Sequence, residues 1–336
     1  MQQLVLYKPG RAEWREVPAP VRTGPDDALV RPLAVATCDL DTAINAGAFP
    51  MRYPYALGHE VVAEVTEVGE AVGTVRPGDV VAVPFQISCG QCAACRRGQT
   101  RDCASVPPAS MYGLGRLGGD WGGAMSDALR VPYADAMLIP LPAGVEPATV
   151  ASLDNIPDGW RAVAPYLVGE ADPDRRRVLV VGQQSIGLYA VAIARALGAD
   201  VTYLDRSDAR LALAERLGAT VLNRADTERL GVFPITVSTD ATPDGLRLAL
   251  TSTDRGGVCT DTGIFAGDVT VPLRDMYVAG ITFVTARADA RTDLPAVLDL
   301  VATGRLDPSI ITAETATWSE APEAWSAHTN KLVITR

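Results

Sequence analysis

A chain of 336 residues with 48% hydrophobic composition exceeds the size at which one core stops growing, so two lobes are expected. A formal charge of −10 argues against nucleic acid or an anionic membrane as partner, since either selects a basic face. The N-terminus lacks a basic stretch leading into an apolar one and no segment reaches bilayer-spanning length, so a soluble, cytoplasmic protein handling small molecules or other chains is expected.

The first 150 residues read as short strands separated by Gly and Pro, as in HEVVAEVTEVG and RPGDVVAVPF, and predict a mostly-β lobe. After Pro173 the pattern changes. VLVVG, SIGLYAVAIARALGA, VTYLD and SDARLALAERLGA alternate strand and helix at βαβ spacing, which predicts a doubly wound parallel sheet covered on both faces. ITVST, GGVCTDTG and ITFVT add strands, with a helix at PDGLRLALTS. DLPAVLDLVATG reads as a later helix and KLVITR as a terminal strand. The expected division is 1–157, 158–285, and a segment 286–336 returning to the first lobe.

Six cysteines are too few for a disulfide scaffold, and four crowd into CGQCAACRRGQTRDC. Cys89, Cys92, Cys95 and Cys103 can converge on one tetrahedral ion without help from distant chain, and Zn²⁺ suits an all-sulfur site. With no coordination position left open, such a zinc is structural. Gly90 and Gly98 favour the tight loop. An iron–sulfur cluster or ordinary buried cysteines are the alternatives.

Cys38 in ATCDLD and His59 in GHE stand 21 positions apart, each beside acidic residues. Taken singly, the cysteine reads as a small buried hydrophobe and the histidine as a satisfied polar group. The other histidine is His328.

VLVVGQQSIGLYA sits at a strand-to-helix junction where a dinucleotide fingerprint belongs, with the pattern Gly182-x-Gln184-x-x-Gly187. The middle glycine, which lets backbone approach a pyrophosphate, is missing. Gln184 must therefore point away, donate its side-chain amide, or obstruct the site. The helix start at Ser185 and Ile186 offers a positive dipole end to phosphate; a structural turn with weakened binding is the alternative. Asp205 closes the second strand, where a carboxylate can accept both ribose hydroxyls and repel a 2′-phosphate, favouring NAD(H) over NADP, with neighbouring Arg206 softening the preference.

In this order, Cys38, then Gly58-His59-Glu60, then the four-cysteine loop, then the Gly-containing turn, the chain resembles a zinc-dependent medium-chain dehydrogenase/reductase of the alcohol dehydrogenase family. The resemblance covers essentially the whole chain. It implies a GroES-like catalytic domain, a Rossmann coenzyme domain, and a cleft between them holding a catalytic zinc. The stretch SLDNIPDGW is similar to that of formaldehyde-dehydrogenase-like and polyol-dehydrogenase-like members, where a carboxylate replaces the second cysteine. That makes Asp154 the third zinc ligand beside Cys38 and His59, with Glu60 as a fourth that exchanges with water. One thiolate and one carboxylate still neutralise Zn²⁺, and the oxygen ligand leaves the metal more Lewis acidic.

The same resemblance gives Asp41 the task of orienting the zinc-bound histidine, a solvated turn residue being the alternative. It places Arg210 on the adenosine side and Thr262-Gly263 at the nicotinamide half. Two departures stand out. The family's proton-relay hydroxyl is replaced by Leu40, and the relay histidine of some relatives by Ala43, leaving Thr42 or a water held near Glu60 as substitutes. Trp121, Phe49 and Trp160 are candidate pocket or core aromatics. The implied activity is an NAD-dependent, zinc-dependent interconversion of an alcohol and a carbonyl by a homodimer or homotetramer. A biosynthetic carbonyl reductase on the same scaffold, or a redox-silent binding protein, are the rivals.

Overall fold

A computed structural model describes residues 1–115, 118–225, 230–265, 267–327 and 331–336; His328 lies outside them. The chain forms two compact units, Met1–Pro157 with Asp289–Thr303 and Thr312–Arg336, and Asp158–Ala288 with Gly304–Ile311. The segment expected to return as one piece from 286 is thus divided. Gly304–Ile311 goes with the second unit, where Arg305 Nη2 donates to Ala196 O at 2.8 Å.

The first unit is built on a seven-stranded sheet and a three-stranded one. Its central pair, Ala28–Ala36 and Glu60–Val68, runs antiparallel, with register irregularities at Leu29/Val30 and Pro32/Ala34. Proline has no N–H for the ladder, so Pro32 falls at one of them. This register closes the 21-residue gap in the sequence. Because Ala36 pairs with Glu60, Cys38 just beyond one strand end lies beside His59 just before the other. The strand Leu332–Thr335 pairs antiparallel with the same strand through Val333 and Ala36, which delivers Lys331 to the same corner.

The second unit carries six parallel strands, in spatial order Thr220–Asn223, Asp200–Asp205, Arg177–Val181, Phe233–Ser238, Thr253–Asp261, Thr282–Thr285. This is the 3-2-1-4-5-6 order of a Rossmann sheet. Val178 through Val181 are fully buried, as strands covered on both faces must be, each side chain contributing about 1.5–3 kcal/mol. Ser207 caps the helix Asp208–Arg216, and Thr242, followed by Pro243, caps Pro243–Thr251. The helices Asn155–Leu167 and Leu273–Ala279, not predicted from the sequence, precede the first and the last strand of this sheet in chain order.

Candidate metal centres and coenzyme site

The short helix Ala93–Arg96 and a 3₁₀ turn at Thr100–Asp102 fold the cysteine loop on itself. Gly90 and Gly98 sit at φ +72° and +74°, a region other residues adopt only with strain. One sulfur from each of Cys89, Cys92, Cys95 and Cys103 lies within 4.8 Å of the other three. Donors converge on them: Cys89 N on Cys103 Sγ at 3.3 Å, Ala104 N on Cys92 Sγ at 3.4 Å, Ser105 Oγ on Cys89 Sγ at 3.1 Å. The backbone N–H groups of Cys95 and Ala104 lower Cys92 to about 6, whereas burial pushes Cys95 up to about 12. A bound divalent cation would supply the charge that holds all four as thiolates. None of the six cysteines is in a disulfide.

Cys38, His59 and Asp154 form a second group whose ligand atoms lie within 4.8 Å of one another. His59 Nε2 faces Asp154 Oδ2 at 3.5 Å and Nδ1 faces Asp41 Oδ2 at 3.8 Å. Both ring nitrogens are buried without a hydrogen-bond partner among the described residues, which is uncommon for polar atoms in a protein interior and leaves them available to a metal ion. Electrostatics agree. Burial, then Asp41, Asp154 and Glu60, push the Cys38 thiol well up. His59 is raised to about 9 although burial opposes it, because Asp41 and Asp154 outweigh that effect. A buried pocket with surplus negative charge fits a divalent cation. Asp41 also accepts from Cys38 N at 2.9 Å, so one carboxylate fixes the start of the helix Asp39–Asn45 and faces the imidazole.

Glu60 differs from expectation. It is absent from the metal-ligand group, because its carboxylate is committed elsewhere. Oε1 accepts from Ser152 Oγ at 3.1 Å, Asp154 N at 2.8 Å and Asn155 N at 2.9 Å. Oε2 accepts from Lys331 Nζ at 2.6 Å, and that ammonium also donates to Asn155 Oδ1 at 2.8 Å and to Thr37 O. With its lone pairs taken, Glu60 is a clamp on the backbone that carries Asp154. Ser152, Asn155 and Lys331 were missed by sequence reasoning, since nothing local marks a lysine 271 positions from its partner.

Leu40 packs against the core of the first unit, as do Phe49 and Trp121. The phenols of Tyr53 and Tyr55 are buried without a partner among the described residues, donors the sequence did not single out. Trp121 and Tyr55 line a cavity of about 430 Å³ with Arg15 and Arg130.

At the fingerprint turn, Gln184 takes φ +64°, the left-handed conformation glycine normally supplies there, at about 1–2 kcal/mol. Its side chain is exposed. Gly182 and Gly187 are required by contact. A Cβ on Gly182 would stand 2.4 Å from the Tyr203 ring, and one on Gly187 would stand 2.8 Å from Thr239 Oγ1. Ser185 and Ile186 follow in the first turn of the helix Gln184–Ala196, whose dipole offers a positive end to phosphate. Thr262 N donates to Ser238 O at 2.9 Å, and a Cβ on Gly263 would meet Ala241 Cα at 2.9 Å. This end of the sheet fits a dinucleotide.

Asp205 departs from the open ribose acceptor expected of it. It is 1% exposed and accepts from the backbone of Arg206 and Ser207, the phenol of Tyr203, and both Nε and Nη2 of Arg210. Arg206 is exposed.

Residues 24–143 match the model of the alcohol dehydrogenase GroES-like domain, and residues 185–303 that of the zinc-binding dehydrogenase domain. A probable zinc-binding alcohol dehydrogenase of Mycobacterium tuberculosis is 30% identical over 97% of this chain and 85% of its own length. A glutathione-independent formaldehyde dehydrogenase of Pseudomonas aeruginosa is 32% identical over 64% of this chain and 56% of its own length. Among solved structures, alcohol dehydrogenase from Thermus sp. ATN1 superposes with a TM-score of 0.91 at 30% identity, covering 100% of this chain and 99% of the other.

Proposed function

The chain belongs to the zinc-binding alcohol dehydrogenase family, and from that premise we propose that Cys38, His59 and Asp154 hold the zinc at which an alcohol and its carbonyl partner are interconverted. It is a zinc-dependent oxidoreductase whose cofactors are zinc and NAD(H). When bound, the zinc polarises the substrate oxygen and NAD(H) exchanges the hydride. The protein's own residues prepare for this. With zinc bound, Cys38 and Asp154 would supply two negative charges, His59 a neutral nitrogen, and Asp41 the carboxylate that orients the ring. Glu60 and Lys331 hold the Asp154 backbone. Cys89, Cys92, Cys95 and Cys103 hold the structural zinc.

The observation that carries this reading is the His59 ring, buried with both nitrogens unpartnered among the described residues and facing a carboxylate on each side. The substrate class we assign is small alcohols and aldehydes or ketones, in keeping with the formaldehyde dehydrogenase similarity. The redox-silent rival loses support from the convergence of Cys38, His59 and Asp154, whose ligand atoms lie within 4.8 Å of one another.

We further propose a homodimer. The helix Leu273–Ala279 buries none of its residues and exposes Leu273, Tyr277 and Val278 at 69%, 85% and 62%. It precedes the edge strand Thr282–Thr285. Monomers rarely leave such a face and such an edge together, and a second copy related by two-fold symmetry covers both. No described helix is long and apolar enough to cross a membrane, and a cytoplasmic location suits six cysteines that form no disulfide.

Zinc stoichiometry measured with NADH titration tests the assignment. Two zinc ions per chain with enhanced NADH fluorescence agree with it; one zinc and no enhancement reject it.

A further inference from the structure

The coenzyme reading of the fingerprint turn places the adenosine ribose at the end of the strand Asp200–Asp205, and the choice between coenzymes derived below from that strand's side chains rests on that reading. Tyr203 and Asp205 are two positions apart on the strand and so share a face. The Tyr203 ring fills the space beneath Gly182, where even a methyl group would stand 2.4 Å from it, and its hydroxyl donates to Asp205 Oδ2 at 2.7 Å. Arg210 closes the carboxylate from the other side, Nε on Oδ2 at 2.7 Å and Nη2 on Oδ1 at 2.8 Å. Oδ1 also accepts from Arg206 N at 2.6 Å and Ser207 N at 2.8 Å.

Five donors therefore meet a group with about four lone-pair positions. Three of them meet Oδ1 and two meet Oδ2, so a ribose hydroxyl that donates to this carboxylate must displace a donor already in place. The bidentate guanidinium also offsets the charge that would repel a 2′-phosphate. Arg206, exposed and without an ion pair among the described residues, adds a positive charge next to it.

We propose that Tyr203 and Arg210 are specificity-determining residues that mask Asp205, so that the adenosine end binds NADP(H) about as well as NAD(H). The sequence position of Asp205 alone argues for NAD(H) preference. Its surroundings cancel the preference.

The experiment is fluorescence titration of the zinc-replete protein with NADH and with NADPH, for wild type, Tyr203→Phe and Arg210→Gln. Tyr203→Phe keeps the ring under Gly182 and removes only the donated hydrogen bond; Arg210→Gln removes the charge. Both free the Asp205 carboxylate to accept from the ribose diol and to repel a 2′-phosphate. Wild-type dissociation constants for the two coenzymes should lie within about tenfold of each other, and each substitution should raise the ratio of the NADPH to the NADH dissociation constant by about tenfold, the effect of one recovered charge-assisted hydrogen bond. A wild-type protein that rejects NADPH by a hundredfold or more would overturn the proposal, as would a ratio unmoved by both substitutions. Binding of neither coenzyme by protein carrying two zinc ions would overturn the coenzyme assignment itself and this inference with it.

Discussion

Lys331 Nζ stands 2.6 Å from Glu60 Oε2 with both side chains buried, 2% and 0% exposed. This ion pair joins the end of the sequence that follows the second unit to the residue next to His59, the proposed zinc ligand. Removing the lysine would leave an uncompensated carboxylate in a dry corner, a loss of about 3–5 kcal/mol. Lys331→Met should therefore lower the unfolding midpoint strongly and reduce zinc content at the Cys38 centre. The double variant with Glu60→Gln should recover much of that stability, since a neutral amide needs no counter-charge. Denaturant unfolding with metal analysis checks both. A single variant as stable as wild type would remove the clamp from the account.

Asp154 and Cys38 each bring one negative charge to the proposed catalytic zinc. Asp154→Ala should leave one zinc per chain instead of two and depress turnover by more than about a hundredfold, as loss of a Lewis acid worth several kcal/mol requires. Asp154→Cys keeps both the charge and the ligand count. It should retain two zinc ions, with altered rather than abolished activity.

In zinc-depleted protein the four thiols of the loop should part company. With Cys92 lowered to about 6 and Cys95 raised to about 12, alkylation near neutral pH should mark Cys92 and spare Cys95, because the thiolate is the nucleophile. Cys92 has a folded value below its usual one, so the stability it contributes is present above the usual thiol range and is lost as pH falls from about 9 through 6. Mass spectrometry of the alkylated peptides across that window reads the order directly. Reloading zinc should protect all four.

Charge placed on the uncovered helix tests the dimer. Leu273→Asp with Tyr277→Asp removes apolar area from a face where none of the helix is buried, so fold stability should change within about 0.5 kcal/mol. The species seen by light scattering should fall from dimer to monomer. An unchanged mass would place the subunit contact elsewhere.

Much of this molecule is legible from its sequence. The cysteine spacing is local, so the loop declares its tetrahedral site in fifteen residues, and the alternation of VLVVG, VTYLD and ITVST declares the parallel sheet. Cys38 and His59 are legible only as a pair, because what unites them is strand register, Ala36 against Glu60, and register is a property of two strands together. Glu60 misleads for the complementary reason. Its residue type suits a metal, but its lone pairs are claimed by Lys331, Ser152 and two backbone amides, none identifiable from the GHE motif. Asp205 misleads likewise: Tyr203 reads as one more strand aromatic until its hydroxyl is seen on the carboxylate.

The long reach of Lys331 also sets a schedule for biosynthesis. Glu60 leaves the ribosome 271 residues before its counter-charge, which at about 5–20 residues per second is roughly 15–55 s. Through that interval the second unit's parallel sheet, encoded between the two, is already available to fold, while the first unit waits with an unpaired acid at its metal pocket. The first unit is thus completed only after most of the second has been translated, and a zinc ion arriving early at the proposed site would meet a pocket whose clamp has yet to be made.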